Sequence, residues 1–425
     1  MSAFVLKENK AIDEKYYYMK HKSGLPIYVI PKNHTTGYAV FGTNFGSVDN
    51  RFKVNGKEHL LPDGIAHFLE HKLFENEDGI DTFKKYAEFG ASANAYTSSD
   101  KTVYLFSATE NMKESLGILL DFVTHPYFTN ETVAKEQGII GQEIRMYDDN
   151  PGWRLYFNML TALYHNHPAR IDTAGTVETI AQITPETLYL AYNTFYNLNN
   201  MALCVCGDMD PEEVLEVCDK YLKDAPTISP ERIFPDEPET VFKKEVTQKL
   251  SVSMPVFSVG IKDVHQPCSG KTLAKKQAEY EIILELLFGK SSPFYTRLYE
   301  EGLINNAFST GYEAHTNFGF CEISGYSNEP DKVYEQILAE IEKYKSSGFD
   351  KEDFERVKRV FYAANLRYFN STEDIANEFI THVFRDFDML EYPSVISEVT
   401  IDDVTHRFNQ DFIKDRIVLS KVLPL

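Results

Sequence analysis

The apolar positions of this 425-residue chain change period repeatedly, and each change marks an element. Runs rich in β-branched and aromatic residues predict strands at Leu25 to Ile30 and Gly37 to Phe45, broken by the turn stretch PKNHTTG. A helical period follows across Asp63 to Glu75 and again over Asp81 to Phe89. SANAYTSSDKTVYLFSATE then alternates as two strands meeting at Ser98-Ser99-Asp100-Lys101. Met112 to Val123 is helical by period, and Thr129 or Asn130 caps a long helix ending near Met146, before the turn DDNPGW. Thr184-Pro185-Glu186 and Asp210-Pro211-Glu212 each set an N-cap ahead of a proline at the first helical position, and the strand-like ALCVCGD lies between them. Val214 to Leu222 continues the second of these helices.

The stretch DAPTISPERIFPDEPET, with Pro226, Pro230, Pro235 and Pro238, has little periodicity and reads as an extended linker. Beyond it the earlier order returns: a strand at Leu250 to Ile261, then the helix LAKKQAEYEIILELLF, and later the helix FDKEDFERVKRVFYAANLRY. The chain is therefore divided into residues 1–225, a linker over 226–243, and a second domain over 244–425, a duplication with a period of about 220 residues. The order of elements predicts an α+β fold of two homologous domains, each an antiparallel β-sheet with helices packed on one face. A length of 425 residues agrees with two cores rather than one.

Composition narrows the partners. At 43% hydrophobic and 13% aromatic residues the chain can fill both cores, while a formal charge of −21 disfavours nucleic acid and anionic membrane surfaces. The five cysteines show neither a disulfide framework nor zinc-ribbon spacing, so a reducing compartment is expected. The first twenty residues lack an apolar signal region and no run approaches a membrane span, which makes a soluble cytoplasmic protein the expectation.

The chemistry is concentrated in DGIAHFLEHKLFE, where His67, Glu70 and His71 interrupt an apolar helical run. At about 100° per residue the three share one face. Two imidazoles one turn apart can hold one ion, and the carboxylate between them stands beside it as a general base. This is the inverted zinc-peptidase order H-x-x-E-H. Ile65, Ala66, Phe68, Leu69, Leu73 and Phe74 make the helix largely buried, where unpartnered His and Glu would be costly. A third protein ligand is needed, and the long helix offers Glu136 and Glu143. They lie seven residues apart, on one face but about 10.5 Å apart along the axis, so only one can bind directly. Helix geometry does not choose between them. The other H-x-H pair, His165 and His167 in YHNHPAR, sits in a loop before Pro168 and reads as turn residues.

The segment Gly64 to Tyr156 resembles the pitrilysin/insulinase family of zinc metallopeptidases, whose pattern is H-x-x-E-H followed, seventy-odd residues on, by two Glu seven apart; here Glu143 stands 72 residues beyond His71. GASANAYTSSDKTVY, HPARIDTAGTVETIAQIT and NLNNMALCVCGDMD are similar to family stretches as well, and the likeness is nearest to short, YmfH-type bacterial members. The resemblance implies a fold like that of pitrilysin and mitochondrial processing peptidase. It also implies one zinc ion per chain on His67, His71 and Glu143, Glu70 as base and Glu136 as supporting carboxylate. Aligning Leu287-Phe288 with Leu73-Phe74 puts Glu281, Leu284 and Glu285 where His67, Glu70 and His71 stand, and Val357 and Ala364 replace Glu136 and Glu143. The second copy has thus lost the metal chemistry and serves as a wall for substrate.

By the same resemblance two such chains, identical or homologous, enclose a chamber, and a peptide adds as a strand beside Ser92 to Thr97, with Asn94, Ala95 and Tyr96 as substrate contacts. Family members carry an Arg and a Tyr in a stretch like R-x-x-x-G-L-x-Y. In TRLYEEGLINNAF, Leu298 and Asn305 occupy those places, and Arg297, Tyr299 and Tyr312 are the candidate stand-ins. Two functions follow: a zinc endopeptidase acting on short or unfolded peptides, or a non-catalytic structural or peptide-binding subunit of a heterodimer.

Overall fold

Two sheets built on one plan organise the chain. The computed structural model describes residues 4–224 and 226–425, so residue 225, the expected end of the first domain, lies outside the described residues, as do residues 1–3. Among the described residues the first sheet has seven strands, in the order Val5–Asn9, Glu14–Lys20, Pro26–Pro31, Met201–Gly207, Gly37–Thr43, Thr102–Ala108, Ser92–Thr97. The second has five, in the order Glu245–Leu250, Ile417–Pro424, Val256–Lys262, Gly319–Tyr326, Ser309–Ala314. Those five repeat the last five of the first sheet, position for position and in the same sequence order. In both, the only parallel pair joins the opening strand of the repeat to its last one, Pro26–Pro31 to Met201–Gly207 and Glu245–Leu250 to Ile417–Pro424. Parallel neighbours need a long crossover, and here the intervening helices supply it.

The expected single strand Leu250 to Ile261 is two strands, separated by Ser251–Pro255. The break is topological: Ile417–Pro424 lies between the two pieces, and the chain must step over it to place Val256–Lys262 on the far side. The proline-rich linker is tied down rather than free. Glu231–Arg232 pairs with Arg51–Val54, and Arg232 Nε sits 2.7 Å from the buried carboxylate of Asp49. The Glu237 carboxylate accepts the N–H groups of His165, Asn166 and His167 at 2.7–2.8 Å.

Each half packs its own helices on one face of its sheet, around Phe41, Phe68, Tyr104 and Leu203 in the first half and Phe257, Ile283, Ile323 and Leu419 in the second. The opposite face is covered by a helix from the other half. Pro151–Leu163 lies on the second sheet, and Thr372–Phe384 on the first, where Ile375, Phe379 and Ile380 meet Tyr38, Val40 and Cys204. A glycine on the middle strand of the repeated five in each sheet admits the visitor. A Cβ on Gly42 would stand 2.6 Å from Ile380 Cδ1, and one on Gly260 2.9 Å from Met159 Cγ. The halves are therefore interlocked across both sheets. No helix among the described residues is long and apolar enough to cross a membrane.

Candidate metal centre

The helix Ile65–Leu73 begins at Gly64, whose φ of 90° lies in the left-handed region. Any Cβ there would meet the Ala174 carbonyl oxygen at 2.4 Å, so the residue is held to glycine by both conformation and space. This start, together with the buried Phe68, Leu69 and Leu73, sets the rotation of the helix and turns His67, Glu70 and His71 toward the long helix Asn130–Asp148. That helix is capped by Thr129, which accepts the N–H of Thr132, and its buried Val133, Ile140 and Ile144 anchor the same face as Glu136.

Among the described residues, only His67, His71 and Glu143 form a group of three or more His, Cys, Asp or Glu able to hold a metal ion, with one ligand atom of each within 4.8 Å of the others. His67 Nε2 lies 3.7 Å from Glu143 Oε1 and His71 Nε2 3.6 Å from Glu143 Oε2. These separations are too long for hydrogen bonds and close to the about 3.3 Å ligand spacing around a tetrahedral ion with bonds of about 2.0–2.1 Å. Two imidazole nitrogens and a carboxylate oxygen are a donor set that fits zinc.

The surroundings prepare those donors. Glu136 Oε1 accepts from His71 Nδ1 at 3.0 Å, which puts the ring hydrogen on Nδ1 and leaves the Nε2 lone pair for the cluster. Burial works against charge on His71, but the hydrogen bond to Glu136 and the carboxylates of Glu70, Glu136 and Glu143 outweigh it and raise its pKa. Burial, then the neighbouring His71, hold His67 down to about 4, so it is neutral at pH 7. Its Nδ1 is buried without a partner. Glu143 Oε1 accepts the Tyr147 hydroxyl at 2.7 Å. The Tyr147 ring stacks on Trp153 at 4.3 Å, whose indole N–H donates to Asp172 at 2.5 Å, so the carboxylate is braced from the start of the lent helix.

Glu70 is nearly buried. Its carboxyl is raised by that burial and partly drawn back by the Thr97 hydroxyl, which donates to Oε2 at 2.6 Å. A carboxylate with a raised pKa, on the same face as the two imidazoles, can exchange a proton with a group held at the cluster.

Thr97 and Tyr147 were missed from the sequence. Tyr147 was within reach, standing one turn after Glu143 on the same helix. Thr97 was not, because it meets Glu70 only through the pairing of Ser92–Thr97 with Thr102–Ala108.

The substrate candidates are placed differently. Ser92–Thr97 is the outermost strand of its sheet, so one edge of its backbone is unpaired among the described residues. Ala95 packs on the core side, whereas Asn94 is exposed and its Oδ1 accepts the Ala95 N–H at 2.9 Å. Tyr96 reaches the other half, its hydroxyl donating to Asn377 at 3.1 Å. Arg297 Nη1 donates to Gln336 at 2.7 Å and Tyr299 stacks on Tyr295, so neither joins the cluster. Tyr312 is a core residue stacked on Tyr280, with its hydroxyl on Asp263 at 2.6 Å. His167 is a turn residue as expected: its Nδ1 accepts the Ala169 N–H at 3.1 Å.

Fold and site together define a duplicated α+β protein carrying a two-histidine, one-carboxylate centre with a glutamate beside it. The family model for insulinase (peptidase family M16) matches residues 57–177, and that for the peptidase M16 inactive domain matches residues 182–361. The uncharacterized zinc protease YmfH of Bacillus subtilis is 43% identical over 425 residues, covering 98% of both chains. The zinc protease PqqE of Helicobacter pylori is 24% identical over 92% of this chain and 89% of its own. Among solved structures, a putative M16-like peptidase from Alicyclobacillus acidocaldarius matches with a TM-score of 0.94 at 36% identity, over 96% of this chain and 98% of that one. Pitrilysin shares the fold, with a TM-score of 0.78 at 15% identity, over all of this chain and 47% of its own. The chain belongs to the M16 peptidase family.

Proposed function

We propose that this chain is a zinc endopeptidase that hydrolyses short or unfolded peptides. The observation that carries the reading is the convergence of His67, His71 and Glu143, with Glu70 on the same face. Those three side chains would hold the ion, Glu136 fixing the His71 ring and Tyr147 the Glu143 carboxylate. Zinc supplies Lewis acidity there, acidifying a water and polarising a carbonyl oxygen. Glu70, oriented by Thr97, takes the water's proton and passes it to the leaving amine. A peptide in extended form adds along Ser92–Thr97, where backbone hydrogen bonds align it without selecting its side chains. Asn94, Ala95 and Tyr96 then border the reacting bond.

In this reading residues 1–225 are the catalytic domain, 226–243 the linker and 244–425 an opposing wall, and a second copy or a homologous chain completes the chamber. The buried, unpaired Cys204, Cys206, Cys218 and Cys321 agree with a cytoplasmic setting. The second reading, a non-catalytic subunit, is favoured by one observation: Leu298 and Asn305 stand where family members place the substrate-contacting Arg and Tyr, and Arg297 and Tyr299 are engaged elsewhere.

Metal analysis of wild type and Glu70→Gln, with both assayed on a pool of unstructured peptides, separates the readings. One zinc per chain in both, with cleavage by the wild type alone, is the expected result. Zinc in both with no cleavage, also after addition of candidate partner chains, would favour the subunit. Absence of zinc in both would overturn the metal centre.

A further inference from the structure

The duplication leaves a cavity where the second half lost its metal residues. Glu281 and Ala364, the counterparts of His67 and Glu143, both line a space of about 210 Å³ between the helices Gly270–Phe288, Lys351–Leu366 and Thr372–Phe384. Its polar wall also includes Glu378, His382, Asn365 and Tyr392.

These groups lack the partners that buried polar atoms ordinarily have. Glu378 has no hydrogen bond or ion pair among the described residues. Glu281 accepts one, from the Tyr312 N–H at 3.1 Å. The Tyr392 hydroxyl is buried without a partner in a side chain only 5% exposed. The His382 ring packs on Phe387 and Tyr392 in a residue only 5% exposed, and neither nitrogen is hydrogen-bonded among the described residues. Burial keeps His382 neutral, down to about 3, so it supplies no counter-charge. Burial pushes the Glu281 carboxyl up to about 7 and raises that of Glu378. Arg385 and Lys101 lie in the vicinity of Glu378; Arg385 Nη1 donates to Gln277 at 3.3 Å while its buried Nε has no partner, and Lys101 donates to Asp100 at 3.3 Å.

A metal ion does not fit this arrangement, because the ligand atoms of Glu281, Glu378 and His382 do not converge as those of the first half do. A cation several ångströms long, with several N–H donors, does. We propose that the cavity is a binding site for an organic cation, a guanidinium or primary ammonium group, held between Glu281 and Glu378 with the Tyr392 hydroxyl as a further acceptor. The second half thereby exchanged a centre for a single ion for a receptor for a larger cation. The group comes either from a free small molecule or from a basic side chain of a bound peptide. The site goes beyond the peptidase reading and stands whether or not the zinc centre turns over.

Calorimetric titration of the full chain decides it. The probes are agmatine and the blocked peptide acetyl-Ala-Arg-Ala-amide, with the uncharged citrulline peptide as control. Saturable 1:1 binding of agmatine, absent for citrulline, is expected; binding of agmatine alone assigns a free ligand, and binding of both probes assigns a peptide side chain. Glu378→Gln keeps the shape, removes the charge, and should weaken binding by roughly tenfold or more. Ala364→Phe, at an exposed helix position on the wall, should block the cavity without altering charge. Unchanged melting temperatures for both variants exclude misfolding as the cause of any loss. The proposal is overturned if neither cation binds at millimolar concentration, if Glu378→Gln binds as tightly as the wild type, or if binding survives in Ala364→Phe.

Discussion

The Nδ1 of His71 lies 3.0 Å from Oε1 of Glu136, a carboxylate only 6% exposed, and this contact sets apart two glutamates that helix geometry left equivalent. Glu143 faces both imidazoles, while Glu136 stands behind one of them. Glu136→Gln would keep the size of the side chain but lose the charge that favours the Nδ1–H tautomer. Zinc affinity, measured by competition with a chelator, is expected to fall about 10- to 100-fold without being abolished. An unchanged affinity would remove Glu136 from the site.

Thr97→Val tests the hold on Glu70. The hydroxyl donates to the carboxylate and so stabilises its charged form, lowering a pKa that burial has raised. Its loss raises the pKa, so the acid limb of the pH–rate profile should move to higher pH, with zinc content preserved. A fall in activity at all pH values with no shift of that limb would mean that Thr97 only shapes the strand.

Gly64→Ala should damage the centre without touching a ligand. Alanine at a φ of 90°, with the Ala174 carbonyl in the way, must turn the first residues of the helix. We expect about 1–3 kcal/mol lost from strain alone, read as a lower melting temperature, together with substoichiometric zinc. A fully zinc-loaded variant of wild-type stability would show that the start of the helix can shift freely.

The halves also meet through a part-buried hydrogen bond between side chains. Asp100 Oδ2 lies 2.7 Å from His315 Nδ1, joining the turn Ser98–Lys101 to a hairpin of the second sheet. Burial alone would raise the Asp100 carboxyl, but Lys101 and His315 outweigh it and hold the pKa well below the ordinary value. A depressed pKa of this kind gives stability that is complete above the unfolded value near 3.9 and is lost as the pH falls through the folded one. Asp100→Asn should therefore cost about 3 kcal/mol in urea unfolding at pH 7, and show less further loss than the wild type below about pH 4. Parallel acid curves for the two proteins would assign the dependence to other carboxylates.

The parts of the molecule that depend on local pattern were legible in the chain. The turn at Ser98 to Lys101, the Thr129 cap and the helix Met112–Thr124 follow from period and capping, and the duplication is visible because both halves run through the same order of elements. What periodicity could not carry is which sheet a helix lies on. Pro151–Leu163 and Thr372–Phe384 are amphipathic in the ordinary way, and nothing in their spacing says that each crosses to the other half. The same limit hid Thr97, whose partner is 27 residues away in sequence and joined through a strand pairing. Arg297 and Tyr299 meet Gln336 and Tyr295 in the second half, which their place in TRLYEEGLINNAF does not reveal.

Those lent helices make a prediction about cooperativity. Ile380 is fully buried against the first sheet, opposite Gly42, and Met159 is fully buried against the second, beside Gly260. Truncating either to alanine opens a cavity at a contact between halves and should cost about 2–5 kcal/mol. Because each helix is continuous with one half and packed on the other, both probes should report one unfolding transition in the wild type and in each variant. The check is to follow urea denaturation by Trp153 fluorescence, which senses the junction of the two halves beside Tyr147, and by far-ultraviolet circular dichroism, which senses both halves. Coincident curves displaced to lower urea are expected. Two separate transitions in Ile380→Ala, with the second sheet surviving the first, would show that the exchange of helices covers the sheets without coupling the halves.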